Sequence, residues 1–296
     1  MSEQAKGTLL SILSAVLYGL NPLMTKTVYS GGGNAITVAF ARLIAGALIS
    51  FCMLLPAGGG TMREKLHLSR TERKDVLICC IGYSAIGPLL FASYNHLSTG
   101  LATTVHFVYP VLVVAACILL HYEKPDRRKL VCCALCFFGI LCFYTPGGEV
   151  NLYGLLLSFA SGVVWAQYII HLSSSGIVRL PAFQLSFWLC SFSAVFVGSF
   201  ALVTDQLAWP HTSLSIGALA LYCCFVTLAS LCFQIGNRYV GAQSASMLST
   251  FEPLTSVIIG VLVYHEVLTV QLGLGILCIL LAVTLLARAD APAPVK

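Results

Sequence analysis

The chain has 296 residues, of which 58% are hydrophobic and only 9% charged, with a net charge of +5. Water-soluble domains carry about 25% charged residues, so the composition excludes an ordinary soluble fold and points to lipid as the solvent. The longest polar connection, 57–75, is too short to hold a second folded domain.

A helix needs roughly 20 apolar residues to cross the hydrocarbon core, and runs near that length occur ten times. They are Thr8–Tyr29, Ala35–Leu55, Val76–Asn95, Gly100–His121, Leu130–Thr145, Leu152–His171, Ala182–Val203, Leu214–Ile235, Ala242–Val263 and Leu268–Ala287. The first is longer than the apolar core of a signal peptide and precedes Gly-Gly-Gly rather than a cleavage pattern, so it reads as a helix. With the N-terminus cytoplasmic, fourteen of the sixteen Lys and Arg fall on the cytoplasmic side, as retention of basic loops requires. The exceptions are Lys26, which can snorkel from a helix end, and Arg42 inside the second run. The positive charge therefore reports topology, and no nucleic-acid partner is expected.

The thirteen cysteines all lie in the apolar runs. An odd count inside helices argues against a disulfide framework. Cys133 and Cys136 have the Cys-x-x-Cys spacing without a second pair or a nearby His, so small-residue packing is the reading for these thiols. Neither metal nor cofactor is expected.

The chain repeats itself. A shift of 147 lays Gly7–Tyr18 on Gly154–Trp165, matching Gly7, Leu9, Leu10, Ser11, Ser14 and Val16; a shift of 143 lays Tyr109–Glu123 on Glu252–Glu266, matching Pro110, Val114, Leu119 and Glu123. Each unit holds five runs, an odd number, so the second copy enters the membrane from the opposite side. The expected fold is an all-α membrane protein with ten transmembrane helices in two inverted five-helix repeats, 7–145 and 152–288. Inverted repeats are an architecture of secondary transporters, with the site near the midplane.

Residues three, four and seven apart share a helix face. Four runs then carry polar or aromatic stripes: Ser11, Ser14, Tyr18, Asn21, Pro22 and Thr25; Thr103, His106, Tyr109 and Pro110; Ser158, Ser161, Trp165 and Tyr168; and Ser246, Ser249, Glu252, Pro253 and Ser256. Such hydroxyls serve either as glue between helices or as the lining of a shared cavity. Pro22, Pro88, Pro110 and Pro253 each remove a backbone donor and are candidate kinks around that cavity. The candidate lining comprises Tyr18, Asn21, Tyr83, His106, Tyr109, Trp165, Ser249 and Glu252. Arg42, His106 and Glu252 are the ionisable residues deep in the runs, and a charge there costs about 2.5–3.5 kcal/mol even on an insertion scale. Three readings of Glu252 stay open: a pair with Arg42, contact with substrate or a coupling proton, or a neutral group held in packing.

The sequences "ARLIAGAL" in the second run, "YPVLVVAACILLHYE" ending the fourth and "FEPLTSVIIGVLVYHEVLTVQLGLGILCILLAV" across the last two resemble the EamA-type branch of the drug/metabolite transporter superfamily. The resemblance spans essentially the whole chain, and its most specific element is the paired Pro110…Glu123 and Pro253…Glu266. It implies an inner-membrane carrier with both termini cytoplasmic and a central cavity, moving amino acids or related small metabolites, often outward. It also places Arg42, Pro110, Glu252 and Pro253 where the family commonly has those residue types. The small multidrug members of the superfamily place a glutamate in their first helix, whereas the matching positions here are Tyr18 and Trp165, which argues against that type of exchange.

The alternatives are an importer of the same fold, a passive channel and an intramembrane enzyme. For the enzyme, all four aspartates lie in loops or the tail, and "HEVLT" at His265 lacks the second histidine of a His-Glu-x-x-His metal site. The expected partners are a small-molecule substrate, a coupling proton and the lipid bilayer.

Overall fold

The computed structural model describes residues 2–56, 61–93, 96–97, 102, 105–120, 122, 126–142, 151–264 and 269–289. Among the described residues there is no strand. The helices are α1 (Glu3–Gly19), α2 (Asn21–Ser30), α3 (Ala35–Leu54), α4 (Met62–Lys65), α5 (Arg70–Ser93), α6 (Tyr109–Leu119), α7 (Arg127–Leu141), α8 (Leu152–Ser174), α9 (Ala182–Val203), α10 (Ser213–Leu248), α11 (Phe251–Tyr264) and α12 (Val270–Ala289). Among the described residues, five stretches are long and apolar enough to cross a membrane: Glu3–Ser30, Ala35–Leu54, Leu152–Ser174, Ala182–Val203 and Ser213–Leu248. Their outward faces are apolar, with Leu48, Leu156, Leu202 and Leu214 each more than half exposed. A surface of that kind belongs against lipid, and the chain is an integral membrane protein.

Two apolar runs are not the single helices expected. Thr8–Tyr29 is divided at Leu20, where α1 ends and α2 begins with Pro22 in its first turn, a position at which the missing N–H costs no helical bond. Ala242–Val263 is divided at Ser249–Thr250, and its first part joins the preceding run across Gly241, whose φ of 78° breaks α10. Only glycine adopts that conformation without a Cβ penalty. α6 likewise starts late, at Tyr109–Pro110, after a turn at Phe107–Val108. Pro88 lies inside the continuous α5. Thr103, Glu123, His265, Glu266 and Asp290 lie outside the described residues.

The main packing pairs are α1 with α10, α5 with α8, α3 with α9 and α7 with α12. Every pair joins a helix before residue 145 to one after residue 152. Serines of the stripes bond to distant backbone: the Ser14 hydroxyl donates to the Ala229 carbonyl at 2.8 Å across the α1–α10 pair, and Ser158 of α8 donates to the carbonyl of Ala102. Gly19 permits a close approach of α1 to α11, since a Cβ there would lie 2.5 Å from Thr255 Cβ and 2.7 Å from the Glu252 carbonyl oxygen.

The two ends of the bundle are closed differently. At the start of α3, Asn34 caps the helix by accepting from Thr37 N–H at 2.8 Å and donates to the Gln206 carbonyl at 2.7 Å. Ala208 N–H donates to the Thr37 hydroxyl at 2.8 Å, and His211 N–H to the Gly31 carbonyl at 2.9 Å. Loop 31–34 is thereby zipped to loop 205–211. At the opposite end Lys65 Nζ donates to the terminal carbonyls of α3, Leu54 at 3.0 Å and Leu55 at 3.3 Å. There a cavity of about 240 Å³ opens among Cys117, Tyr122, Ile170, Ser173, Ser174 and Ala242.

Candidate functional site

The breaks in α1/α2 and α10/α11 bring helix ends together at mid-depth. Tyr18, in the last turn of α1, has its hydroxyl 2.6 Å from the Ser230 hydroxyl of α10, and Tyr83 of α5 has its hydroxyl 2.9 Å from the same oxygen. A serine hydroxyl holds one proton and two lone pairs, so Ser230 can serve both phenols at once. Arg42 donates from Nη2 to the Tyr83 carbonyl at 3.3 Å, and its guanidinium lies 5.1 Å from the Tyr83 ring centroid. Tyr83 thus holds Arg42 by backbone and by ring. Trp165 stacks on Tyr168 at 4.9 Å, and Phe233 extends the stack on the side of α10.

Glu252 sits in the first turn of α11. The amide ends of a helix favour a carboxylate there by about 0.3–1 kcal/mol, which offsets part of the cost of an acid at this depth. Among the described residues its carboxylate has no hydrogen bond and no ion pair. Its electrostatic neighbours are the phenols of Tyr18, Tyr109 and Tyr222. Tyr18 and Tyr222 also feel Arg42. No salt bridge joins Arg42 to Glu252; two phenols face both charges instead.

His106 is satisfied inside the bundle. Its Nδ1 lies 2.9 Å from the Ser161 hydroxyl, and Ser161 spends its proton on the Ser158 carbonyl at 2.6 Å. The Nδ1 atom must therefore be the donor, leaving Nε2 as the other ring position. The His106 ring lies 5.4 Å from that of Tyr109. Ser249 donates its hydroxyl to Ala245 within its own helix at 3.0 Å. Asn21 has a buried Oδ1 without a hydrogen-bond partner among the described residues.

The structure therefore gathers Tyr18, Arg42, Tyr83, Tyr109, Trp165 and Glu252 into one polar and aromatic cluster, the candidate chamber, with His106 beside Tyr109. Ser230 and Tyr222 escaped the sequence reading. Both lie in an eighth run without a continuous polar stripe, and only the approach of α10 to α1 and α5 gives them a role. The arrangement offers one guanidinium, one free carboxylate and several aromatic faces. Among the described residues no group of three His, Cys, Asp or Glu is placed to hold a metal ion.

The EamA-like transporter family matches residues 5–145 and again 152–288. The chain belongs to that family. This EamA-like transporter is 23% identical over 266 residues to an uncharacterized transporter of Archaeoglobus fulgidus, covering 89% of this chain and 90% of the relative. It is 24% identical to the uncharacterized transporter YvbV of Bacillus subtilis, over 95% of this chain and 92% of that one. It is also 24% identical to the uncharacterized inner membrane transporter YicL of Salmonella typhimurium, over 97% of both chains. A solved structure described only as the crystal structure of a protein matches the fold with a TM-score of 0.82 at 17% identity, over 97% of this chain and 99% of that one. Family and relatives point to membrane transport rather than catalysis.

Proposed function

We propose that this protein is a secondary carrier that moves an amino acid or related small metabolite across the cytoplasmic membrane by alternating access, in the direction of export. The observation that carries the reading is the Glu252 carboxylate, at a half-helix terminus, with no hydrogen bond or ion pair among the described residues and with Arg42 held apart from it. A zwitterion suits that pair: its ammonium group meets Glu252, its carboxylate meets Arg42, and its apolar part lies on Tyr18, Tyr109 and Trp165. A proton on Glu252 in place of cargo would couple transport to the proton gradient.

The packing pairs support ten spanning helices in two inverted units, 7–145 and 152–288. Exchanging the halves turns the pair α1–α10 into α8–α5 and returns α3–α9 and α7–α12 to themselves. With both termini cytoplasmic, the zipped loops 31–34 and 205–211 form a closed outer gate and the cavity at Ala242 faces inward.

The test is counterflow in liposomes holding the purified protein. Vesicles loaded with an unlabelled amino-acid mixture should accumulate labelled amino acids in a saturable way. Uptake that never saturates would indicate a channel instead, and accumulation by intact cells rather than release would indicate an importer.

A further inference from the structure

Helix α10 carries three amides outside the stripes already described. Gln234 and Asn237 lie four and seven residues beyond Ser230 and share its face, and Gln243 follows the Gly241 break. Their exposures are 3%, 1% and 1%. Among the described residues neither polar atom of Gln234 or Asn237 has a hydrogen-bond partner, and the same holds for Nε2 of Gln243. Gln234 lies beside the Tyr168 hydroxyl but outside bonding geometry.

Buried polar groups are nearly always bonded, and inside a membrane no solvent stands ready to help. Five unpaired atoms on one helix therefore need a physical account. The face they share begins at Ser230, in the chamber. It ends at the Gly241 break, and the next residue, Ala242, lines the cavity of about 240 Å³. Next to Gln234, Phe233 packs its ring on those of Trp165 and Tyr168.

We propose that Gln234 and Asn237 line the route between the chamber and that cavity, dry in this conformer and hydrated in the conformer that opens the route. The proposal rests on the carrier reading. Unpaired amides raise the energy of the closed arrangement, and water entering with the cargo supplies their missing donors and acceptors. The aromatic stack is the barrier, and the amides behind it lower the cost of parting it.

The test joins a labelling experiment to a pair of isosteric variants. In liposomes, Asn237→Cys is treated with a hydrophilic maleimide and mapped by mass spectrometry, with native Cys79, which is fully buried, as internal reference. The expected rate at position 237 is at least roughly tenfold that at Cys79, and Gln234→Cys should behave alike. Gln234→Leu and Asn237→Leu should each raise the melting temperature and slow counterflow by roughly tenfold, because both changes favour the closed state. Labelling no faster than Cys79 overturns the proposal, as does higher melting with unchanged counterflow, the result for amides that are merely buried. Labelling needs no substrate, so a wild-type protein that fails in counterflow counts against the carrier reading and leaves the labelling rates to decide the route.

Discussion

Tyr83 and Ser230 meet hydroxyl to hydroxyl at 2.9 Å although 147 residues separate them, the same shift that lays Gly7–Tyr18 on Gly154–Trp165. α5 and α10 hold the third apolar run of each proposed unit, so the contact ties one half of the chain to the other. Because Tyr18 shares the same hydroxyl, Ser230 ties α1 and α5 to α10. Ser230→Ala leaves two buried phenols short of a partner and should cost about 1–3 kcal/mol, read as a lower melting temperature in detergent. Ser230→Thr keeps the hydroxyl and should recover most of it.

Among the described residues the Glu252 carboxylate makes no hydrogen bond. Glu252→Gln should therefore melt at or above the wild-type temperature, while counterflow falls by at least about tenfold, or 1.4 kcal/mol. Unchanged transport with an unchanged pH profile would remove the charge from the mechanism.

Arg42 is held by the carbonyl and ring of Tyr83. Lysine keeps the charge but loses the planar fork that stacks and bonds together. Arg42→Lys should raise the half-saturation concentration with a modest loss of maximal rate, whereas Arg42→Met should abolish saturable uptake. Equal behaviour of the two variants would refute a role for the charge.

Gly19 lies where a Cβ would press on Thr255 and on the Glu252 carbonyl. Gly19→Ala should push α11 from α1 at a cost of about 1–3 kcal/mol, with a lower melting temperature and lost transport together. A fully active, equally stable variant would show that the two helices need no such approach.

The start of α5 carries a pH-sensitive cap. Ser69 N–H donates to the Glu72 carboxylate at 2.8 Å, and Glu72 N–H donates to the Ser69 hydroxyl at 3.2 Å. The hydrogen bonds from Ser69 hold the Glu72 carboxyl below its ordinary range. A depressed carboxyl stabilises the fold above its unfolded value, about 4.3, and the contribution fades as pH falls through the lowered folded value. Amide exchange at the first turn of α5 should accelerate in acid, and Glu72→Gln should remove that acid dependence.

Composition alone settled the solvent, because a chain with so few charges cannot present a hydrated surface. Helical content at all ten apolar runs was legible for a related reason: in lipid the backbone must satisfy itself within each segment. Ala182–Val203 even kept its boundaries. The repeat, Glu252 and the aromatic candidates were also readable, since periodicity and an isolated charge are local signals. The breaks at Leu20 and at Ser249–Thr250 were not, because apolar residues flank them and continuous hydrophobicity does not report φ and ψ. Nor could sequence decide what Arg42 touches, which stripe serines spend their protons on backbone carbonyls, or that Ser230, Tyr222 and Asn237 matter. Those properties arise between helices distant in the chain, where packing sets the distances, and tertiary structure alone supplies them.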